Sequence, residues 1–244
     1  QTCALPISES VITVYKVIGE ETGESDWTIS AIIQAANNGN DIINMSLGTY
    51  KCDDVESELL TIEAYERAVQ YAEEKECLVV ASAGNKALDL DQYYENEGIK
   101  HLPGGIEAAI TISSVHKNSL ATYSNFGSNI DFSAPGGDLA YVDGLLDLNQ
   151  WIYILYPTTL DNGLSSLGVP QGYTFNCGTS LSAPAVTAGI ADLLSYSLEN
   201  KQDLNMKQIV EVLIEGANDI GTPEKDNCFG YGVANIYNSI VGMK

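Results

Sequence analysis

The segment of this sequence best equipped for chemistry is Gly178-Thr179-Ser180-Leu181-Ser182-Ala183-Pro184. Ser180 falls where an extended segment, Tyr173 to Cys177, gives way to a run of apolar and small residues that continues to Leu194. That run is apolar nearly all round, which predicts a buried helix rather than an amphipathic one. A serine in the first turn of such a helix is held in place and sits in the positive end of the helix dipole. Negative charge developing there is stabilised, so the position suits a nucleophile. Simple capping asks only for one hydroxyl or carboxamide at Thr179 or Ser180. It does not ask for Gly178 before it or Ser182-Ala183-Pro184 after it. Gly178-x-Ser180-x-Ser182 also lacks the second glycine of a nucleophile elbow.

The elements that would position Ser180 can be read in chain order. Val11 to Ile18 is β-branched and bounded by Gly19, and reads as a strand. Thr28 to Asn37 has Ile29, Ile32, Ile33 and Ala36 at helical spacing. Asp41 to Gly48 reads as a buried strand, Tyr50 to Ser57 as an acidic loop, Thr61 to Lys75 as a helix, and Cys77 to Asn85 as another buried strand. Ala109 to Val115 is a further strand, and Met206 to Ile214 a further helix. Near-continuous apolar strands alternating with helices predict a three-layer α/β fold, a mostly parallel central sheet with helices on both faces. Ligands of such sheets bind at the carboxyl ends of strands. Ser46-Leu47-Gly48 and Ser82-Ala83-Gly84-Asn85 both lie at such ends.

Composition narrows the function classes. A chain of 244 residues is long enough for one large domain, with 45% apolar and 18% charged residues. The net charge of −22 argues against nucleic acid, whose phosphates need basic neighbours. It fits steering of a cationic substrate, and solubility alone accounts for it equally well. No apolar run is long enough for a transmembrane helix, and the start does not read as a signal peptide. Five cysteines with no Cys-x-x-Cys indicate neither a zinc site nor a disulfide framework. Cys177 reads as a buried strand residue rather than a second nucleophile. Residues 1–10 show no period and Gln1 is not a translation start, so 1–7 read as non-native. Residues 138–171 read as an insertion of loops and hairpins near a groove.

Taken together, Gly-Thr-Ser-x-Ser-Ala-Pro at 178–184, Asn44-Met45-Ser46-Leu47-Gly48 and Ala81-Ser82-Ala83-Gly84-Asn85 resemble the subtilisin-like serine proteases. Tyr123-Ser124-Asn125-Phe126-Gly127 through Ala134-Pro135-Gly136 adds to the likeness as a structural run. The resemblance implies that Ser180, with Gly178 and Thr179 beside it, is the nucleophile. It implies that Asn85 donates its amide to the oxyanion, and that Ser46, Leu47 and Gly48 line the groove for an extended substrate, with Ser82, Ala83 and Gly84 opposite. His101 aligns with pocket-forming residues before Leu102-Pro103-Gly104. For the acidic stretch Asp89 to Gly98 three readings stand: a solvated loop, acidic walls for a basic substrate side chain, and a structural calcium site.

The family also supplies an Asp in Asp-[Thr/Ser]-Gly and a His in His-Gly-Thr, and neither motif occurs here. The resemblance thus covers the last three quarters of a protease domain, a fold truncated at its N-terminus and expected to be inactive alone. His101 and His116 are expected to be ordinary satisfied histidines rather than the missing base. The acidic loop after Gly48, the Tyr-rich helix at 63–74 and His101-Leu102-Pro103-Gly104-Gly105 look like the lantibiotic leader peptidase branch. The resemblance implies an extracellular or cell-surface endopeptidase acting on a peptide, with a basic residue at the cleavage site. The alternative is a non-catalytic peptide-binding or scaffold homologue.

Overall fold

The computed structural model describes residues 10–20 and 22–243. Gln1 to Ile7, read above as non-native, and Cys3 lie outside them. In chain order the elements are α1 (Ser25–Asn37), β1 (Ile42–Met45), β2 (Thr49–Cys52), α2 (Glu56–Glu74), β3 (Leu78–Ser82), α3 (Leu90–Glu97), β4 (Ile99–Leu102), β5 (Ala109–His116), β6 (Ser119–Leu120) and β7 (Phe132–Pro135). They continue as β8 (Tyr141–Val142), β9 (Leu145–Leu146), β10 (Ile152–Leu155), β11 (Tyr173–Asn176), α4 (Thr179–Glu199), α5 (Met206–Gly216) and α6 (Ile236–Gly242).

The central sheet runs β1–β3–β5–β7, all parallel, with β6 turned back antiparallel on the end of β5. Its register pairs Ile42 with Leu78, Val79 with Ala109, and Ile112 with Phe132. Successive side chains of a strand point to opposite faces, and β3 shows the consequence. Val79 and Ala81 join a core with Ile32, Ile62, Tyr65 and Val69 of α1 and α2. Val80 joins another with Val186, Ile190 and Leu193 of α4 and with Ile209 and Leu213 of α5. Both faces of the sheet are therefore covered, as the apolar strands predict. Among the described residues β1 pairs only with β3, so its other edge is open. The helix after Gly178 buries residues from Thr179 through Ser197, but Ala185, Asp192 and Leu198 are exposed, so it is less enclosed than its composition predicts.

Four expectations fail locally. Val11 to Ile18 forms no strand; it makes one isolated bridge, Ile18 to Gly23, and leaves Val11 91% and Val14 67% exposed. A β-branched run becomes a strand only where a neighbour offers a ladder, and no described segment does. The acidic loop after Gly48 begins as β2, which pairs antiparallel with β4. Asp89 to Gly98 is a helix, capped by Asp89 at its start and by left-handed Gly98 at its end. The closing segment continues into α6, whose cap Asn235 accepts from the amide of Asn238. The stretch 138–171 holds the β8–β9 hairpin and β10, which pairs with β11 beyond it.

Burial is uneven along α4. Ile190, fully buried, and Leu198, 59% exposed, sit on the same helix. Ile190→Ala should destabilise the fold by about 2–5 kcal/mol, and Leu198→Ala by no more than about 0.5 kcal/mol. Denaturant midpoints at constant slope check both.

Candidate active site

The site forms where the carboxyl ends of β1 and β3 meet the first turn of α4. Asn85 follows β3, and its Oδ1 accepts two hydrogen bonds from Thr179, one from the amide at 2.9 Å and one from Oγ1 at 2.7 Å. Thr179 Oγ1 in turn accepts from the Gly84 amide at 3.2 Å. With Oδ1 engaged on Thr179, the amide nitrogen of Asn85 lies toward Gly178: a Cβ built there would stand 3.3 Å from Nδ2. Gly178 has φ +151°, which side-chain-bearing residues rarely adopt, so glycine serves both the turn and the close approach.

Ser180 is half-buried in the first turn of α4. Its Oγ donates to the Ser46 carbonyl at 3.3 Å, and Ser46 Oγ donates back to the Ser180 carbonyl at 2.9 Å. Pro184 makes the second bond possible. A helix would satisfy the Ser180 carbonyl with the amide of residue 184, and proline has none. The hydroxyl of Ser46 takes that place and ties the segment after β1 to α4. Asn44 Nδ2 donates to Ser46 Oγ at 3.1 Å, and Thr187 Oγ1 donates to Asn44 Oδ1 at 3.0 Å.

The run around Asn125 reads as structural in the sequence, and the fold shows how it acts. Asn125 is fully buried and uses its whole carboxamide. Oδ1 accepts from the amides of Lys86 and Leu88, and Nδ2 donates to the Ala83 carbonyl and the Tyr50 hydroxyl. It therefore shapes the loop that carries Asn85. The Tyr-Ser-Asn-Phe-Gly run gave its position; only the folded loop shows its partners.

A cavity of about 300 Å³ opens beside Ser180. Of the residues expected at the site, Leu47, Gly48, Ser82, Gly84, Asn85, His101, Thr179 and Ser180 all line it. Ser46 reaches it through Ser180, Gly178 caps the helix from a buried position, and Ala83 is buried with its carbonyl on Asn125. Tyr50 and Lys86 also line the cavity and were not expected. A larger cavity, about 520 Å³, lies between α1 and α2 and holds no serine, cysteine or histidine.

The acidic stretch does not wall the cavity at Ser180. Asp89 caps α3, Asp91 holds the amide and hydroxyl of Ser128, and Tyr94 donates to Asp53. Among the described residues, the stretch holds no group of three metal-capable side chains. The cluster of three metal-capable side chains found among the described residues is Cys52, Asp53 and Asp54. A thiol and two acids, one of them engaged by Tyr94, do not make the cage of six to eight oxygens that calcium takes. His101 is buried rather than satisfied, with Nδ1 lacking a hydrogen-bond partner. Burial, and secondarily the charge of Lys86, push its pKa down to about 4. His116 ends β5, its Nε2 likewise buried without a partner, and does not line the cavity. No hydrogen bond joins either histidine to Ser180 among the described residues. Cys177 is half-buried, and burial raises its thiol above the usual range, away from the reactive thiolate.

The sequence matches the subtilase family over residues 7–232. It is 29% identical over 216 residues to the epidermin leader peptide-processing serine protease EpiP of Staphylococcus epidermidis, covering 79% of this chain and 46% of that protein. It is 26% identical over 212 residues to the nisin leader peptide-processing serine protease NisP of Lactococcus lactis, covering 79% and 31%. The chain thus spans less than half the length of these two relatives. The solved structure of a lanthipeptide protease superposes with a TM-score of 0.87 at 34% identity, over 94% of this chain and 69% of that one.

Two tests follow from this geometry. Asn125→Ala leaves two amides and a carbonyl without their partner, and should destabilise the fold by about 2–4 kcal/mol while speeding amide exchange at Lys86 and Leu88. The second concerns acid. A His101 pKa near 4, below the ordinary 6.5, means the unfolded chain binds the proton more tightly. Its contribution is fully present above pH 6.5 and is lost as pH falls toward 4, by about 3 kcal/mol. Stability against pH should show this slope, and His101→Gln should flatten it.

Proposed function

The chain belongs to the subtilase family, and from that premise we propose that it carries the nucleophile, the oxyanion donor and the substrate groove of a serine endopeptidase that trims a leader peptide from its substrate. The observation that carries this reading is the double hydrogen bond from Thr179 to Asn85 Oδ1, next to Ser180. It leaves Asn85 Nδ2 as a preoriented donor at the helix terminus that presents the serine hydroxyl. In this reading the peptide lies extended between Ser46-Leu47-Gly48 and Ser82-Ala83-Gly84. Ser180 Oγ attacks the carbonyl, and the charge on the carbonyl oxygen is met by Asn85 Nδ2 and by the positive end of α4.

Attack needs a base to take the serine proton and a carboxylate to orient that base. His101 is a poor candidate, since a group that binds its proton only near pH 4 is a weak base at neutral pH. We assign both roles to segments of the full-length protein outside these 244 residues, in keeping with the absence of the family's Asp and His motifs from the sequence. The chain alone is then inactive. The leader-peptide substrate is suggested by the two relatives named for that task and by the lanthipeptide protease. An extracellular or cell-surface location follows from the family resemblance. Among the described residues, no helix is long and apolar enough to cross a membrane.

The test is peptide hydrolysis by the full-length protein. Ser180→Ala should lower kcat by about 10⁶ and Asn85→Ala by about 10²–10³, with KM little changed for the second. Turnover by residues 1–244 alone, abolished by Ser180→Ala, would show a base within this chain. Peptide binding by the full-length protein without any cleavage would favour the scaffold reading instead.

A further inference from the structure

The cavity beside Ser180 has a charge opposite to that of the chain around it. The protein has 33 acidic residues against 11 basic ones, yet the cavity is lined by Lys86 and His101 and by no carboxylate. Lys86 takes no part in the four ion pairs found among the described residues. Its Nζ stands 4.0 Å from the centroid of the Tyr50 ring, and that ring lies 4.9 Å from the His101 ring. The three side chains thus form one connected group.

His101 is 4% exposed, and its Nδ1 is buried with nothing to bond. The ring is boxed in by main chain. A Cβ at Gly48 would collide with Nε2, and one at Gly104 would stand 3.0 Å from Nδ1. Buried polar groups are nearly always hydrogen-bonded, and a native exception asks for a reason. Tyr50 adds a donor. Its hydroxyl accepts from Asn125 Nδ2, so its own proton is available, and burial raises its pKa, keeping that proton on.

We propose that this cavity receives an aspartate or glutamate side chain of the substrate, at the residue whose carbonyl Ser180 attacks, and that Lys86 and His101 determine this preference. The position in the substrate follows from the lining, because Ser180 and Asn85 form part of the same cavity; it rests on the reading of Ser180 as nucleophile. A carboxylate would accept from the Lys86 ammonium, from one imidazole N–H and from the Tyr50 hydroxyl, charge-assisted bonds of the stronger kind. It would also oppose both causes of the low His101 pKa, by adding a negative charge and by supplying an acceptor. A lysine or arginine at this position would meet Lys86 with no acid to offset it. The preference is thus the reverse of the basic residue expected from the sequence.

Two measurements test this. The first is cleavage by the full-length protein of peptides differing only in Glu, Gln or Arg before the scissile bond. The Glu peptide should exceed the Gln peptide in kcat/KM by about 10- to 100-fold, and the Arg peptide by more. Lys86→Gln should shrink the Glu-to-Gln ratio about 10-fold, His101→Gln should shrink it further, and Lys86→Glu should reverse the order of Glu and Arg. The second is equilibrium binding of product-like peptides ending in Glu, Gln or Arg to the full-length Ser180→Ala protein, which does not depend on turnover. Tighter binding of the Glu peptide supports the proposal even if no peptide is cleaved, an outcome that would defeat the nucleophile reading alone. Equal or tighter binding of the Gln or Arg peptide overturns the proposal, whatever the cleavage rates. So does a Glu-to-Gln ratio that Lys86→Gln leaves unmoved.

Discussion

The site depends on a junction between two segments 94 residues apart in sequence, closed by the bonds from Thr179 to Asn85 Oδ1. Thr179 is the pivot. Its amide and hydroxyl both donate to Asn85, and its hydroxyl accepts from Gly84. Those bonds fix which end of the Asn85 carboxamide faces the helix terminus. β3 is held between β1 and β5, and α4 packs on one face of the sheet. The junction therefore joins the end of a central strand to the start of a packed helix. Preorganisation of this kind is what lets a neutral amide donor stabilise developing charge without first reorienting.

Serine and proline share a second junction on the other side of Ser180. Pro184 denies the helix a hydrogen bond, and Ser46 supplies one from a different strand end. The gap in α4 becomes a fixed distance between the groove and the nucleophile. Asn125 does similar service under the β3 loop, where four bonds from one carboxamide replace the regular ladder that a loop cannot form.

Much of this was readable from sequence, for physical reasons. The buried strands and α4 declare themselves through apolar runs, because parallel strands are covered on both faces and α4 packs along one of them. The segment 178–184 is legible because glycine, hydroxyls and proline each answer a local demand of the helix start. Other features depended on partners distant in the chain. Val11 to Ile18 has strand composition and no strand beside it. β2 reads as an acidic loop until β4 pairs with it. The helix α3 is marked by its capping residues, Asp89 and Gly98, but its acidic composition reads equally as a solvated loop or a ligand site. Lys86 and Tyr50 carry no motif at all; only the fold sets them against His101. The charge of the cavity was hidden for the same reason, since composition averages over a surface and a pocket samples ten residues of it.

The unpaired side of β1 has a consequence for how the molecule behaves in concentrated solution. An open strand edge is a template for another copy of itself, and the chain also exposes Val11 and Val14. A net charge of −22 opposes such contact through mutual repulsion. That protection reaches only as far as the ionic atmosphere permits, about 10 Å at 0.1 M salt. Colloidal stability should therefore rest on ionic strength more than on temperature, with dilute buffer keeping copies apart and brine letting their edges meet.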